Sequence, residues 1–267
     1  MKFIFLIFIV FLFTLLFLII YLENKTENKI MEKFENSIIV IYDNEKIGDL
    51  ESDWGFSCLI NFENKSILFD TGTNSRILFH NMEKLNVKVE KIDSIFLSHI
   101  HSDHTGALLD FLKRNSNVTV YLPASFPLNF KNEIKTYARV VEISNSTQIS
   151  PKVYSTGELG DFIPEQSLIL KTEKGLVVIT GCAHPGIVNI LKKVKNDFNQ
   201  KIYLVLGGFH LFGSSNSEIN SIVEEFKKLG VEKVAPCHCS GDLAKEVFKK
   251  AYGENFIECA AGKIIPL

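Results

Sequence analysis

The chain has 267 residues, 46% of them hydrophobic and 22 of them phenylalanine, enough to bury the core of one large domain or two small ones. A formal net charge of −2 without a basic block excludes the electrostatic footprint of a nucleic-acid binder. Five cysteines, odd in number and sparsely spaced, exclude a disulfide scaffold.

In chain order, residues 3–22 (FIFLIFIVFLFTLLFLIIYL) carry no charge and match the length a helix needs to cross a bilayer. No small-x-small cleavage site follows, so the expectation is a retained single-pass transmembrane anchor over 1–22, with the lipid bilayer as partner and a membrane location. Lysines flank the run on both sides and leave its orientation undecided. Residues 23–36 (ENKTENKIMEKFEN) read as a polar tether, and the globular domain is expected over 37–267.

Apolar, β-branched runs predict strands at 37–42, 56–62, 66–70, 94–98, 118–122 and 139–143, then at 167–171, 175–180, 202–207 and 233–237. Helical spacing of apolar residues falls on 74–85, 105–113, 186–195, 217–229 and 241–251. Hairpin strands followed by strands alternating with helices predict an α/β fold, with sheets covered by helices.

The stretch SHIHSDHTGAL (98–108) crowds His99, His101, Asp103 and His104 at the end of an apolar strand. Imidazole and carboxylate groups are ligands for zinc and related divalent ions. At a spacing of two in extended chain, His99 and His101 project to one side and can share an ion. Asp103 and His104 follow as the chain turns toward a helix, where they can reach a second ion or the water between two. TGCAHPG (180–186) sets His184 just past one predicted strand, PCHCSG (236–241) sets His238 past another, LGGFHLF (206–212) sets His210 past a third, and LFDTG (68–72) ends a fourth with Asp70. His80 alone falls in a helical stretch and reads as a surface or packed histidine. Cys182, Cys237 and Cys239 neighbour these histidines, but in extended chain the neighbours of His238 point to the opposite face, so buried thiols are expected.

The H-x-H-x-D-H motif after a strand, with an upstream Asp and two downstream His, resembles the metallo-β-lactamase superfamily over roughly 37–267. LFDTG, STGELGDFIPEQ (155–166), VVITGCAHPGIVNIL, GGFHL and CHCSG resemble one branch of it more closely. That branch is the archaeal proteins similar to 7,8-dihydropterin-6-methyl-4-(β-D-ribofuranosyl)aminobenzene-5′-phosphate synthase. The resemblance implies a four-layer αββα sandwich and two divalent metal ions, zinc foremost, with manganese or iron as alternatives. It further implies that His99, His101 and His184 hold the first ion, that Asp103, His104 and His238 hold the second, and that Asp70 supports the ligand loop. At 206–212, where the superfamily commonly carries a bridging Asp, this chain has Gly207-Gly208-Phe209-His210, so that either His210 acts as a terminal ligand, the favoured expectation, or the second site is weaker and fills only with substrate.

Two ions a few ångströms apart activate water and stabilise developing negative charge, with Asp103 orienting the nucleophile or moving its proton. No G-x-S-x-G elbow, P-loop or Rossmann glycine fingerprint competes with this machinery. Ser240 and Gly241 precede a predicted helix and suit either an N-cap or a helix-start site for a substrate phosphate. Trp54 suits either core packing or stacking on a flat substrate ring. The first expectation is therefore a metal-dependent hydrolase that uses a metal-activated water on an ester, thioester, phosphoester or lactam, with a small-molecule substrate that is phosphorylated or pterin-like. The alternatives are a transferase joining a dihydropterin-methyl diphosphate to an aminobenzene ribofuranosyl phosphate, and a non-catalytic metal-dependent sensor.

Overall fold

The computed structural model describes residues 36–267. The first half runs β1 (Ser37–Tyr42), β2 (Ser57–Phe62), β3 (Lys65–Phe69), α1 (Ser75–Lys84), β4 (Ser94–Phe96), α2 (Ser102–Thr105), α3 (Leu108–Arg114), β5 (Thr119–Pro123), α4 (Leu128–Lys135) and β6 (Arg139–Ile143). The second half runs β7 (Asn145–Ser150), β8 (Val153–Gly157), β9 (Leu168–Thr172), β10 (Gly175–Thr180), α5 (Ile187–Phe198), β11 (Ile202–Gly208), α6 (Asn216–Lys228), β12 (Lys233–Cys237), α7 (Asp242–Tyr252) and β13 (Ile264–Pro266). One sheet has the order β13-β1-β2-β3-β4-β5-β6 and the other β12-β11-β10-β9-β8-β7.

Side-chain alternation along the strands builds the layers. Ile38 and Val40 of β1 join Cys58, Ile60, Phe69 and Phe96 in a core that also takes Leu168, Leu170, Val177, Ile179, Leu204 and Leu206 from the other sheet. The intervening residues Ile39 and Ile41 face the opposite way, onto Ile77, Leu78 and Met82 of α1 and Leu108, Phe111 and Leu112 of α3. In the second sheet Leu176, Val178 and Val205 pack on Ile190, Leu191 and Val194 of α5, with Ile219, Val223 and Phe226 of α6 and Phe248 of α7. The result is the αββα sandwich. Helix starts follow local chemistry, as where Ser215 and Glu218 cap α6 reciprocally.

The expected membrane-spanning helix is corrected. No helix among the described residues is long and apolar enough to cross a membrane. The longest of them, α6, has 13 residues, roughly 20 Å of helix against the ~30 Å of a hydrocarbon core. The predicted anchor over 3–22 lies outside the described residues, and the predicted tether reaches them only at Asn36. The described residues support the sandwich alone, and the bilayer partner and membrane location expected from the sequence find no support among them.

Smaller differences have local causes. The strand expected to run to Ser98 stops at Phe96, because the Ser98 amide leaves the ladder and donates to Asp70 Oδ1 at 2.7 Å. The helix expected from 105 splits into α2 and α3 around Gly106. Strand β7 is missed by hydrophobic patterning because its first four residues, Asn-Ser-Thr-Gln, are exposed at a sheet edge. Strand β13 is three residues long and owes its ladder to the far end of the chain, where it pairs with β1.

Gly106 lets the motif helix lie against the loop after β3, since a Cβ there would sit 2.2 Å from the Thr73 carbonyl oxygen. Gly106→Ala is expected to lower stability by about 1–3 kcal/mol through this overlap, measured by urea unfolding. An unchanged midpoint would show that the Thr73 loop yields freely.

Candidate metal centre

The predicted ligands lie at strand ends or in the turns that follow, except Asp103 and His104, which lie in the short helix α2. His99, His101 and His184 form one group whose donor atoms lie within 4.8 Å of one another. His99 is fully buried, and its Nδ1 is 2.9 Å from Ser98 Oγ. His184 Nδ1 is 2.8 Å from Glu165 Oε2. The same Glu165 accepts the backbone amides of Gly181, Cys182 and Ala183 through Oε1, at 3.1, 2.9 and 2.8 Å, and that of His184 through Oε2 at 3.0 Å. Burial works to raise the Glu165 carboxyl, but His99 and the hydrogen bonds from His184 and Ala183 hold it well below the usual carboxylate range.

A second group joins Asp103, His104, His238 and Cys182, again with donors within 4.8 Å of one another. His104 Nδ1 is 2.6 Å from Asp70 Oδ2, and its Nε2 lies 3.2 Å from both His238 Nε2 and Cys182 Sγ. Asp103 Oδ2 is 3.2 Å from His238 Nε2 and 3.6 Å from His104 Nε2. Asp70 occupies a left-handed backbone position at φ 52° and also takes the Ser98 hydroxyl at 2.7 Å. Burial, with His238 beside it, pushes His104 down to about 3, and burial pushes Asp70 up. On His238 burial is outweighed by Asp103, which raises the imidazole.

Sequence reasoning missed several of these supports. Glu165 falls within the quoted STGELGDFIPEQ stretch, but nothing local marks its carboxylate as the one that gathers the loop 181–184. Asp43 and Asn44 follow β1 and reach across to His238: the His238 amide donates to Asp43 Oδ1 at 3.0 Å, and His238 Nδ1 is 3.1 Å from Asn44 Oδ1. Trp54, weighed as core, is 48% exposed; its Nε1 donates to Asp103 Oδ2 at 2.9 Å and its ring lies 4.8 Å from that of His238. Ser240 is not the N-cap of α7. It is fully buried, its hydroxyl accepts from the Phe209 amide at 3.0 Å, and Gly241 caps α7 without a side chain. His210, at φ 54°, groups with Cys182 and Cys239 rather than with Asp103, His104 and His238. His80 sits in α1, with Nε2 3.5 Å from the Asp49 carbonyl. The five cysteines are all free and buried, as expected.

The donor chemistry fits divalent cations. Four imidazoles, His99, His104, His184 and His238, are each engaged through Nδ1, which leaves Nε2 as the donor atom. His99 Nε2 is buried with no hydrogen-bond partner, and the close approach of the His104 and His238 nitrogens is favourable only with a proton or a cation between them.

Glu165→Gln turns one acceptor into an amide donor that faces backbone N–H groups. We expect a loss of about 1.5–3 kcal/mol in urea unfolding, and metal affinity about 10–100-fold weaker in chelator competition. Burial pushes Asp43 up to about 7, while in the unfolded chain it ionises near ~3.9. Between those values the folded state holds the extra proton, so this group's contribution falls as pH rises. In chelator-treated protein, Asp43→Asn should therefore gain stability relative to the parent as pH rises from about 4 to about 7. A pH-independent difference would refute the assignment.

Comparison with known proteins bears on the same residues. Residues 55–238 match the Metallo-beta-lactamase superfamily, a span that contains the three-histidine group and the group of Asp103, His104, His238 and Cys182. The chain is 33% identical, over 80% of its length and 90% of the relative's, to a 7,8-dihydropterin-6-methyl-4-(beta-D-ribofuranosyl)-aminobenzene-5'-phosphate synthase of Methanocaldococcus jannaschii. It is 31% identical to an uncharacterized protein of the same organism, covering 85% of this chain and 99% of that one. Among solved structures, Tm1679, described as a metal-dependent hydrolase of the beta-lactamase superfamily, superposes with a TM-score of 0.76 at 32% identity, covering 86% of this chain and 98% of its own. With its αββα sandwich, its paired donor clusters and a match over more than half its length, this chain belongs to the metallo-beta-lactamase superfamily of metal-binding enzymes.

Proposed function

We propose that the chain is a metal-dependent transferase that joins a dihydropterin-methyl diphosphate to an aminobenzene ribofuranosyl phosphate. The observation that carries the proposal is the side-by-side placement of two donor clusters, with the His99 and His104 rings 4.2 Å apart between centroids. The archaeal synthase, similar over most of both chains, supports this choice of chemistry over others available to the fold.

In this reading His99, His101 and His184 hold one ion, and Asp103, His104 and His238 hold the other. Bound there, two divalent ions supply Lewis-acid stabilisation to a departing diphosphate. The chain's own groups do the rest. Asp103 is kept ionised, since the His238 and His104 side chains outweigh the burial that would raise it. It takes the Trp54 N–H on one side and can accept a hydrogen bond from an incoming amine on the other. Trp54 offers an exposed indole face beside His238 for a flat ring. Asp70, Glu165 and Asn44 fix the imidazoles so that none has to reorganise when substrate arrives.

A second reading, hydrolysis by the same donors with water as acceptor, is favoured by the likeness to Tm1679, a metal-dependent hydrolase by description. One assay separates the two. Diphosphate release from the pterin substrate is followed with and without the aminobenzene ribofuranosyl phosphate. Transfer predicts release that depends on the acceptor and a condensed product, whereas hydrolysis predicts equal release without acceptor. Binding with no turnover of either kind would leave a metal-dependent sensor. His101→Ala should lower metal content and abolish whichever turnover is found, and full activity in that variant would defeat the ligand assignment.

A further inference from the structure

We infer that the Cys182 thiolate is the fourth ligand of the cluster formed by Asp103, His104 and His238. That half of the site would then prefer zinc, or another thiophilic divalent ion such as cobalt(II) or cadmium, over magnesium or manganese. The inference rests on the metal-dependent reading above and deepens it. The sequence sets Cys182 two residues before His184, where a thiolate ligand is conceivable, but a buried thiol is the expectation there.

Geometry carries the argument. Cys182 Sγ lies 3.2 Å from His104 Nε2, the same nitrogen that is 3.2 Å from His238 Nε2 and 3.6 Å from Asp103 Oδ2. One Asp, two His and one Cys thus converge within 4.8 Å, a donor set and number suited to tetrahedral zinc. The thiol is also held in position. The Cys182 amide and both flanking amides donate to Glu165 Oε1, and Ala183 takes a left-handed φ of 62°. Two residues further on, His184 enters the other cluster, so a single strand-end loop supplies one donor to each.

An ordinary core thiol is the competing explanation, and the other cysteines show what that looks like. Cys58, Cys237 and Cys259 pack into the apolar core between the sheets. Cys182 and Cys239 are buried but belong to none of the three apolar clusters: Cys182 lies among Asp103, His104 and His238, and also in a smaller group with His210 and Cys239 that lacks a carboxylate. Cys239 lies behind, its Sγ 3.6 Å from the Cys182 carbonyl oxygen, and groups with His210 rather than with Asp103. Coordination exchanges the S–H bond of Cys182 for a sulfur–metal bond and releases one proton to solvent, with no change in oxidation state.

The test uses the full chain, stripped with chelator and reloaded with cobalt(II). A near-ultraviolet thiolate-to-cobalt charge-transfer band is expected in the parent and in Cys239→Ser, and lost in Cys182→Ser, which should still bind cobalt at the all-histidine cluster. X-ray absorption on the zinc-loaded parent, which needs no variant, should show sulfur scattering at about 2.3 Å. Two bound ions without sulfur scattering overturn the inference and leave the metal-dependent reading intact. Loss of the band in Cys239→Ser with its retention in Cys182→Ser overturns it in favour of the His210 side. Failure of the parent to bind any of these metals overturns both.

Discussion

The site depends first on the Glu165 carboxylate. It takes four consecutive backbone amides, from Gly181 to His184, together with the His184 imidazole. An ionised carboxylate buried without partners is prohibitively costly, so this arrangement is stable only when the whole loop wraps it. The wrapping in turn sets two donors on opposite sides of one turn, His184 toward the three-histidine group and Cys182 toward the other. Gly181 is part of the same constraint, since a Cβ there would lie 2.1 Å from Ser98 Oγ.

Around that anchor, each sheet contributes the end of its strands. Asp70 after β3 bonds Ser98 and His104, tying the motif loop to the first sheet. His184 follows β10 and His238 follows β12, both from the second sheet. The two halves are fastened again by Asp43 and Asn44, which leave β1 and hold His238 by its backbone and its ring. Asp70, Ala183, His210 and His238 all occupy left-handed backbone positions, conformations that cost energy in non-glycine residues and persist where surrounding contacts over-determine them. The rigid sandwich supplies those contacts.

Family membership accounts for the layers and for the H-x-H-x-D-H loop, and it leaves this chain's departures standing. Where a bridging carboxylate is commonly expected, the end of β11 carries Gly207 and Gly208. A Cβ on Gly208 would stand 2.4 Å from the Gly181 carbonyl oxygen and 2.6 Å from Cys239 Sγ, so the space a carboxylate would need is filled by the loop that carries Cys182. His210 groups with Cys182 and Cys239.

By itself the sequence determined what local chemistry can determine. Alternating apolar strands gave the layers because burial on both faces is written into each strand's own residues, and His99, His101, Asp103 and His104 were legible because a few consecutive positions carry all four. The long apolar run near the start was equally legible as a pattern, yet the described residues contain no helix able to cross a membrane. Only the tertiary structure decided which distant groups meet: Glu165 with the loop 181–184, Asn44 with His238 across 194 positions, Cys182 with His104 across 78, and Trp54 with Asp103 rather than with the core. The physical reason is that a single acid, amide or thiol has no period to betray it. Its partner is fixed by strand order and by the need of buried polar groups to find one another, and both are properties of the folded sandwich rather than of any segment.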